Sequence, residues 1–177
     1  MFKIFISFIL IYTLIGCSKN NDSGIKPVDH METKTLDGSN NKAPEFSLPS
    51  TEGKTIRLSD YKGKVIILDF WATWCGPCRK GIPDLIAIQK EFGKDVVVIG
   101  ISLDEGTKKD VVPFMQTIGI NYPIAYGTLE VTEQYGGIDG IPTSFVINKN
   151  GEIVDKHVGL IPKSEFTDQI NRLLNKS

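Results

Sequence analysis

From about residue 43 onward, apolar positions gather into short runs divided by turn signals. Two of these, Val65-Ile66-Ile67-Leu68-Asp69-Phe70-Trp71 and Val96-Val97-Val98-Ile99-Gly100-Ile101, are nearly unbroken, as strands buried on both faces are. Between them Ile82, Leu85, Ile86 and Phe92 recur near one face of a helix that starts around Gly76 and ends near Gly93. Strand, helix and strand in that order predict two parallel strands joined by a right-handed crossover. Ahead of them, Phe46-Ser47-Leu48 and Thr55-Ile56-Arg57-Leu58 alternate with period two around Glu52-Gly53-Lys54, the pattern of a β-hairpin. Residues 108–118 predict a second helix, 122–125 a short strand and 129–135 a short helix. Residues 143–148 and 152–158 read as strands joined at Lys149-Asn150-Gly151, whose Asn-Gly pair suits a hairpin turn. Phe166, Ile170, Leu173 and Leu174 place a closing helix over residues 163–174. The sum is an α/β domain, a central mixed sheet with helices on both faces.

The start of the chain follows a different pattern. Met1-Phe2-Lys3 and the apolar run over residues 4–15 read as the basic and hydrophobic parts of a secretory signal. About a dozen apolar residues fall short of the ~20 that span a bilayer. Leu14-Ile15-Gly16-Cys17 then resembles the lipobox of bacterial lipoproteins, which implies cleavage before Cys17 and acylation of its sulfur. Lipid contributes about 0.8 kcal/mol per buried CH₂, so more than one acyl chain on Cys17 would hold the protein on a membrane, outside the cytoplasm. Residues 18–42 are rich in Asn, Asp, Ser, Gly and Lys and show no period, the composition of a flexible tether. The expected organisation is a signal peptide over residues 1–16, a lipidated tether over 17–42 and one domain over 43–177.

Charge narrows the possible partners. The 177 residues carry a formal net charge of −1, with Lys and Arg scattered among acidic residues, so no segment is built for nucleic acid. Of three cysteines, the lipobox resemblance assigns Cys17 to lipid, which would leave Cys75 and Cys78.

Those two lie in Trp74-Cys75-Gly76-Pro77-Cys78, where a strand gives way to a helix. A cysteine at a helix N-terminus meets partial positive charge and unpaired N–H groups, ionises more easily and becomes the reactive thiolate. Half a zinc site is the competing use of such a pair, but His30 and His157 lie far apart and offer no ligand spacing. A purely structural bridge closing so short a loop removes little chain entropy. Haem attachment needs a histidine after the second cysteine, where Arg79 stands. Asp69 is the odd member of its strand: a carboxylate there is costly unless paired or protonated, and burial raises its pKa. It suits a general base for Cys78; the alternative is a structural aspartate satisfied by backbone donors. His157 reads as an ordinary strand residue.

On Asp69-Phe70-Trp71-Ala72-Thr73-Trp74-Cys75-Gly76-Pro77-Cys78 and Gly140-Ile141-Pro142-Thr143, the chain resembles a thioredoxin-fold thiol-disulfide oxidoreductase. Within that fold it is similar to the membrane-anchored, extracytoplasmic TlpA/ResA-like group, with the N-terminal β-hairpin extension and a helix-bearing insertion over residues 100–126 as additions. The resemblance implies that an exposed Cys75 attacks a substrate disulfide and Cys78 resolves the mixed disulfide. It implies a cis Ile141-Pro142 bond against the cysteines, and a substrate groove formed by Trp74, Gly76, Pro77, Ile141, Pro142 and Gly159. It implies no cofactor or metal beyond the redox-active pair. The expected partners of the monomer are disulfide-bearing envelope proteins, apocytochrome c among the candidates, and a membrane electron donor. The chain departs from its group in two places: members often carry Asn where Asp69 stands, and a Glu where this chain has Gly81.

Two other classes fit less well. A peroxiredoxin-like peroxidase is similar over residues 43–71 but needs Thr three residues before the nucleophile, where Ala72 stands. A Sco-type metal carrier needs a CxxxC pair and a suitable histidine. Gly76-Pro77 is the dipeptide of reducing thioredoxins, with potentials near about −270 mV against about −120 mV for the oxidant DsbA. That gap, about 7 kcal/mol for two electrons, sets the direction of flow.

Overall fold

The computed structural model describes residues 41–175. The signal-like segment, Cys17, His30 and most of the expected tether lie outside the described residues. The elements run β1 (Ser47–Pro49), β2 (Thr55–Arg57), β3 (Val65–Trp71), α1 (Gly76–Phe92), β4 (Val96–Ser102), α2 (Lys108–Ile118), β5 (Ile124–Tyr126), α3 (Leu129–Gln134), β6 (Thr143–Ile147), β7 (Ile153–Val158) and α4 (Lys163–Asn175).

Five strands form one mixed sheet in the order β5-β4-β3-β6-β7. The two unbroken apolar runs became β3 and β4, paired in parallel with Val65 opposite Val96, and every residue of both is buried. β5 continues the parallel half, while β6 and β7 are antiparallel. Alternate residues of β3 then face different layers. Val65, Ile67 and Trp71 pack with Ile82, Leu85 and Ile88 of α1, Val111 of α2 and Phe166 and Ile170 of α4. Ile66, Leu68 and Phe70 pack with Leu48 and Ile56 of the N-terminal hairpin and Val131 of α3. A strand with apolar neighbours on both sides has no polar face to show, hence the lack of alternation in its sequence.

Where boundaries differ from expectation, local chemistry explains them. The strand expected at residue 122 begins at Ile124, because Pro123 has no N–H for a ladder. Asn148 and Glu152 leave their strands to build the turn, since the Asn148 side-chain oxygen accepts the N–H groups of Asn150 and Glu152 at 2.9 and 3.0 Å. Parts of both sheet edges are covered by residues from the N-terminal end of the domain. Thr51 donates its N–H to Ile124 O at 3.0 Å beside β5, and Ile153 of β7 donates to Asn41 O at 2.7 Å. Covered edges leave fewer unpaired backbone groups to recruit another strand.

Candidate active site

The site lies where the central strand runs into α1. Trp71 ends β3, Cys75 N–H closes a turn onto Ala72 O at 3.1 Å, and Cys75 is the N-cap of α1. Its Sγ accepts the N–H of Cys78 at 3.2 Å, one of the orphan donors of the helix start. Pro77 fits the first turn because it has no N–H to lose. No acidic residue stands in that turn to offset the positive end of the helix.

Cys75 and Cys78 are joined as a disulfide. Contrary to the exposed nucleophile expected, Cys75 is only 5% exposed, close to Cys78 at 3%. Its sulfur is turned onto its partner and lies 3.6 Å from the carbonyl oxygen of Ile141. A bridged sulfur carries no proton, so that carbonyl becomes a hydrogen-bond acceptor only for the reduced thiol. Trp74 beside it is 64% exposed, and Gly76 and Pro77 are also at the surface.

The Ile141-Pro142 bond is cis. Pro142 O accepts the N–H of Gly159 at 2.7 Å, and Thr143 Oγ1 donates to Gly140 O at 2.7 Å, which holds the loop at both ends. Gly159 has φ +91°, a conformation that favours glycine. Cys75, Ile141, Pro142 and Gly159 are thus linked through successive contacts, with Val158 and Leu160 adding exposed apolar surface next to Gly159.

Asp69 is buried and faces α1 from the middle of the sheet. Its Oδ1 accepts the hydroxyl of Ser144 at 2.7 Å. Burial lifts its pKa from 3.8 to about 7, and the Ser144 hydrogen bond opposes that rise only in part. Asp69, Ser144, Cys78, Asp84 and Pro142 line one cavity of about 20 Å³, large enough for a single water. Burial also pushes the Tyr122 phenol well up, with the charge of Asp69 adding to it. Gly81 borders the same cavity, and a Cβ there would meet Leu160 Cδ1 at 2.9 Å.

Sequence reasoning missed Ser144. The signal was a hydroxyl inside the buried strand Thr143–Ile147, but only the β3–β6 register puts it opposite Asp69. His157 packs its ring on Phe166 at 5.7 Å and lies 2.9 Å from Gln169 Nε2, on the α4 side.

Residues 39–156 match the AhpC/TSA family. The chain belongs to the AhpC/TSA family. Within it, the chain is 37% identical to the thiol-disulfide oxidoreductase ResA of Bacillus subtilis over 131 residues, covering 73% of this chain and 72% of that one. It is 33% identical to the thioredoxin-like protein YneN of the same organism over 132 residues, covering 73% and 77%. A thiol:disulfide interchange protein of the thioredoxin family from Chlorobium tepidum TLS has a solved structure that superposes with a TM-score of 0.72 at 37% identity, covering 78% of this chain and 99% of that one. The fold is therefore thioredoxin-like, and this AhpC/TSA member is a thiol-disulfide oxidoreductase with a Cys75-Cys78 pair. Among its described residues no helix is long and apolar enough to cross a membrane.

Proposed function

We propose that the protein reduces disulfides of envelope proteins outside the cytoplasm, apocytochrome c among them, while lipid on Cys17 holds it at a membrane. The observation that carries the exchange mechanism is the cavity lined by both Asp69 and Cys78, which supports Asp69 as the base for the resolving thiol. Cys75, ionised at the helix start, attacks one sulfur of a substrate disulfide. The Cys75–substrate bond forms, the substrate S–S bond breaks, and the other substrate sulfur leaves as thiolate. Asp69 takes the proton of Cys78, directly or through one water. The Cys78 thiolate then attacks Cys75 Sγ, closing the Cys75-Cys78 disulfide and freeing the second substrate sulfur. Two electrons have passed to the substrate, and a membrane electron donor returns them.

A carboxyl with a pKa of about 7 exchanges its proton near neutral pH, where a general base is most useful. An extended substrate segment would pair with the backbone of Ile141 beside Pro142, with Trp74, Gly76, Pro77 and Gly159 forming the surrounding surface. The signal-like start and the lipobox-like Leu14-Ile15-Gly16-Cys17 support the location. Gly76-Pro77 supports the reducing direction. The protein acts as a monomer with no cofactor besides the dithiol. The test is Cys78→Ser, expected to accumulate substrates as mixed disulfides on Cys75. A folded Cys78→Ser protein that forms no adducts would remove the exchange role.

A further inference from the structure

A second buried carboxylate stands close to the dithiol, and the reaction outlined above does not use it. Asp104, two residues past the end of β4, is 3% exposed. Its Oδ2 accepts the Thr73 N–H at 2.9 Å and the Ser102 hydroxyl at 3.0 Å. Its Oδ1 accepts the Thr73 hydroxyl at 2.5 Å and the Thr107 hydroxyl at 2.6 Å. A carboxylate offers about four lone-pair positions, and four donors fill them.

The donors come from the loop before Cys75, the last residue of β4 and the start of α2. Thr73, in the loop between Trp71 and Cys75, directs its backbone and its side chain to this one group. Thr107 is the N-cap of α2, yet makes no side-chain cap bond to its own helix. A threonine at that position commonly accepts from a helix N–H; here its hydroxyl goes to Asp104 instead. Two further contacts tie the same parts together: Leu103 N–H donates to Trp71 O at 2.8 Å, and the Trp71 ring packs on Phe114 of α2 at 5.6 Å. The turn over residues 72–75 decides where Cys75 Sγ sits relative to the Cys78 N–H and the Ile141 carbonyl. Both the backbone N–H and the hydroxyl of Thr73, in the middle of that turn, are held by Asp104.

We infer that Asp104 is a positioning residue for the nucleophile: by holding Thr73, and anchoring it to the start of α2, it fixes how Cys75 is presented to a disulfide. This rests on the exchange role of Cys75 proposed above. Asp104 touches no reacting atom and acts only through Thr73.

The test uses the reduced full chain with Thr73→Val, Thr73→Ser and Asp104→Asn, following alkylation of Cys75 by iodoacetamide against pH, insulin reduction and thermal melting. Thr73→Val keeps the backbone bond and shape but loses the hydroxyl. It is expected to slow attack by Cys75 about tenfold, since small displacements of a reacting group cost that much or more. Its alkylation midpoint should move to higher pH as the thiolate loses its placed N–H, with KM unchanged. Thr73→Ser should restore both. A Thr73→Val protein that alkylates like wild type, whether or not it melts earlier, would overturn the inference and leave Asp104 a structural group. If Asp104→Asn fails to fold, the Thr73 pair still decides. Alkylation needs no disulfide substrate, so a wild-type protein that reduces no insulin would sink the exchange role, while the alkylation shift would still decide for or against Asp104.

Discussion

Asp69 and Asp104 are both buried near the dithiol, and their surroundings differ in one respect. Among the described residues Asp69 has a single side-chain donor, Ser144, whereas Asp104 has three hydroxyls and a backbone N–H. A carboxylate whose lone pairs are filled is committed to holding its donors in place. One with a single donor has room to accept a proton, and the cavity on the Cys78 side gives that proton a route. The number of donors, more than burial itself, separates a group that positions from a group that reacts.

The same chemical change should therefore act in opposite directions at the two sites. The folded pKa of Asp69 is raised from 3.8 to about 7, so the folded state holds a proton that the unfolded state has released. Stability tied to Asp69 is thus greatest below about pH 4 and is lost as pH rises through about 7, by on the order of 4 kcal/mol. Asp69→Asn removes that loss and should raise stability at pH 8. Asp104→Asn turns an amide N–H₂ toward donors and should lower stability by about 2 kcal/mol. Urea denaturation of both variants at pH 8 reads the signs; equal signs would end the comparison.

A finer separation comes from pH. Wild-type denaturation midpoints should fall between pH 4 and 7, and in Asp69→Asn the Asp69 part of that slope should vanish. The same variant should slow release of the mixed disulfide about 100-fold while leaving attack by Cys75 nearly intact, the pattern expected from loss of a general base. Equal slowing of both steps would make Asp69 structural. Ser144→Ala removes the one hydrogen bond that lowers the Asp69 pKa, so the pH midpoint of the release step should move above about 7.

The smallest expected effect is at Gly81. Gly81→Glu would crowd Leu160, a half-exposed side chain that can swing away, and would gain about 1 kcal/mol of helix propensity. Stability should change little. In an Asp69→Asn background the new carboxylate would border the same cavity and should restore part of the release rate. No restoration would mean that the position of the acid on β3, not its presence near Cys78, is what matters.

Much of this was readable in the sequence, for reasons that differ by residue. β3 and β4 were legible because strands buried on both sides must be apolar throughout, and Asp69 was legible as the exception within one. Cys75 and Cys78 stood out because a strand-to-helix junction activates a thiol whatever surrounds it. Ser144 and Asp104 were not legible, because their meaning depends on register and loop contact. Ser144 reaches Asp69 across 75 positions of chain, and Thr73 reaches Asp104 across 31. The burial of Cys75 was hidden for the same reason, since Ile141 lies 66 positions away.

The reduction potential of the Cys75-Cys78 pair, measured by equilibrating the full chain with glutathione or dithiothreitol buffers, tests the proposed reducing role most directly. A value near that of thioredoxin, about −270 mV, is predicted; a value near about −120 mV, that of the oxidant DsbA, would contradict it.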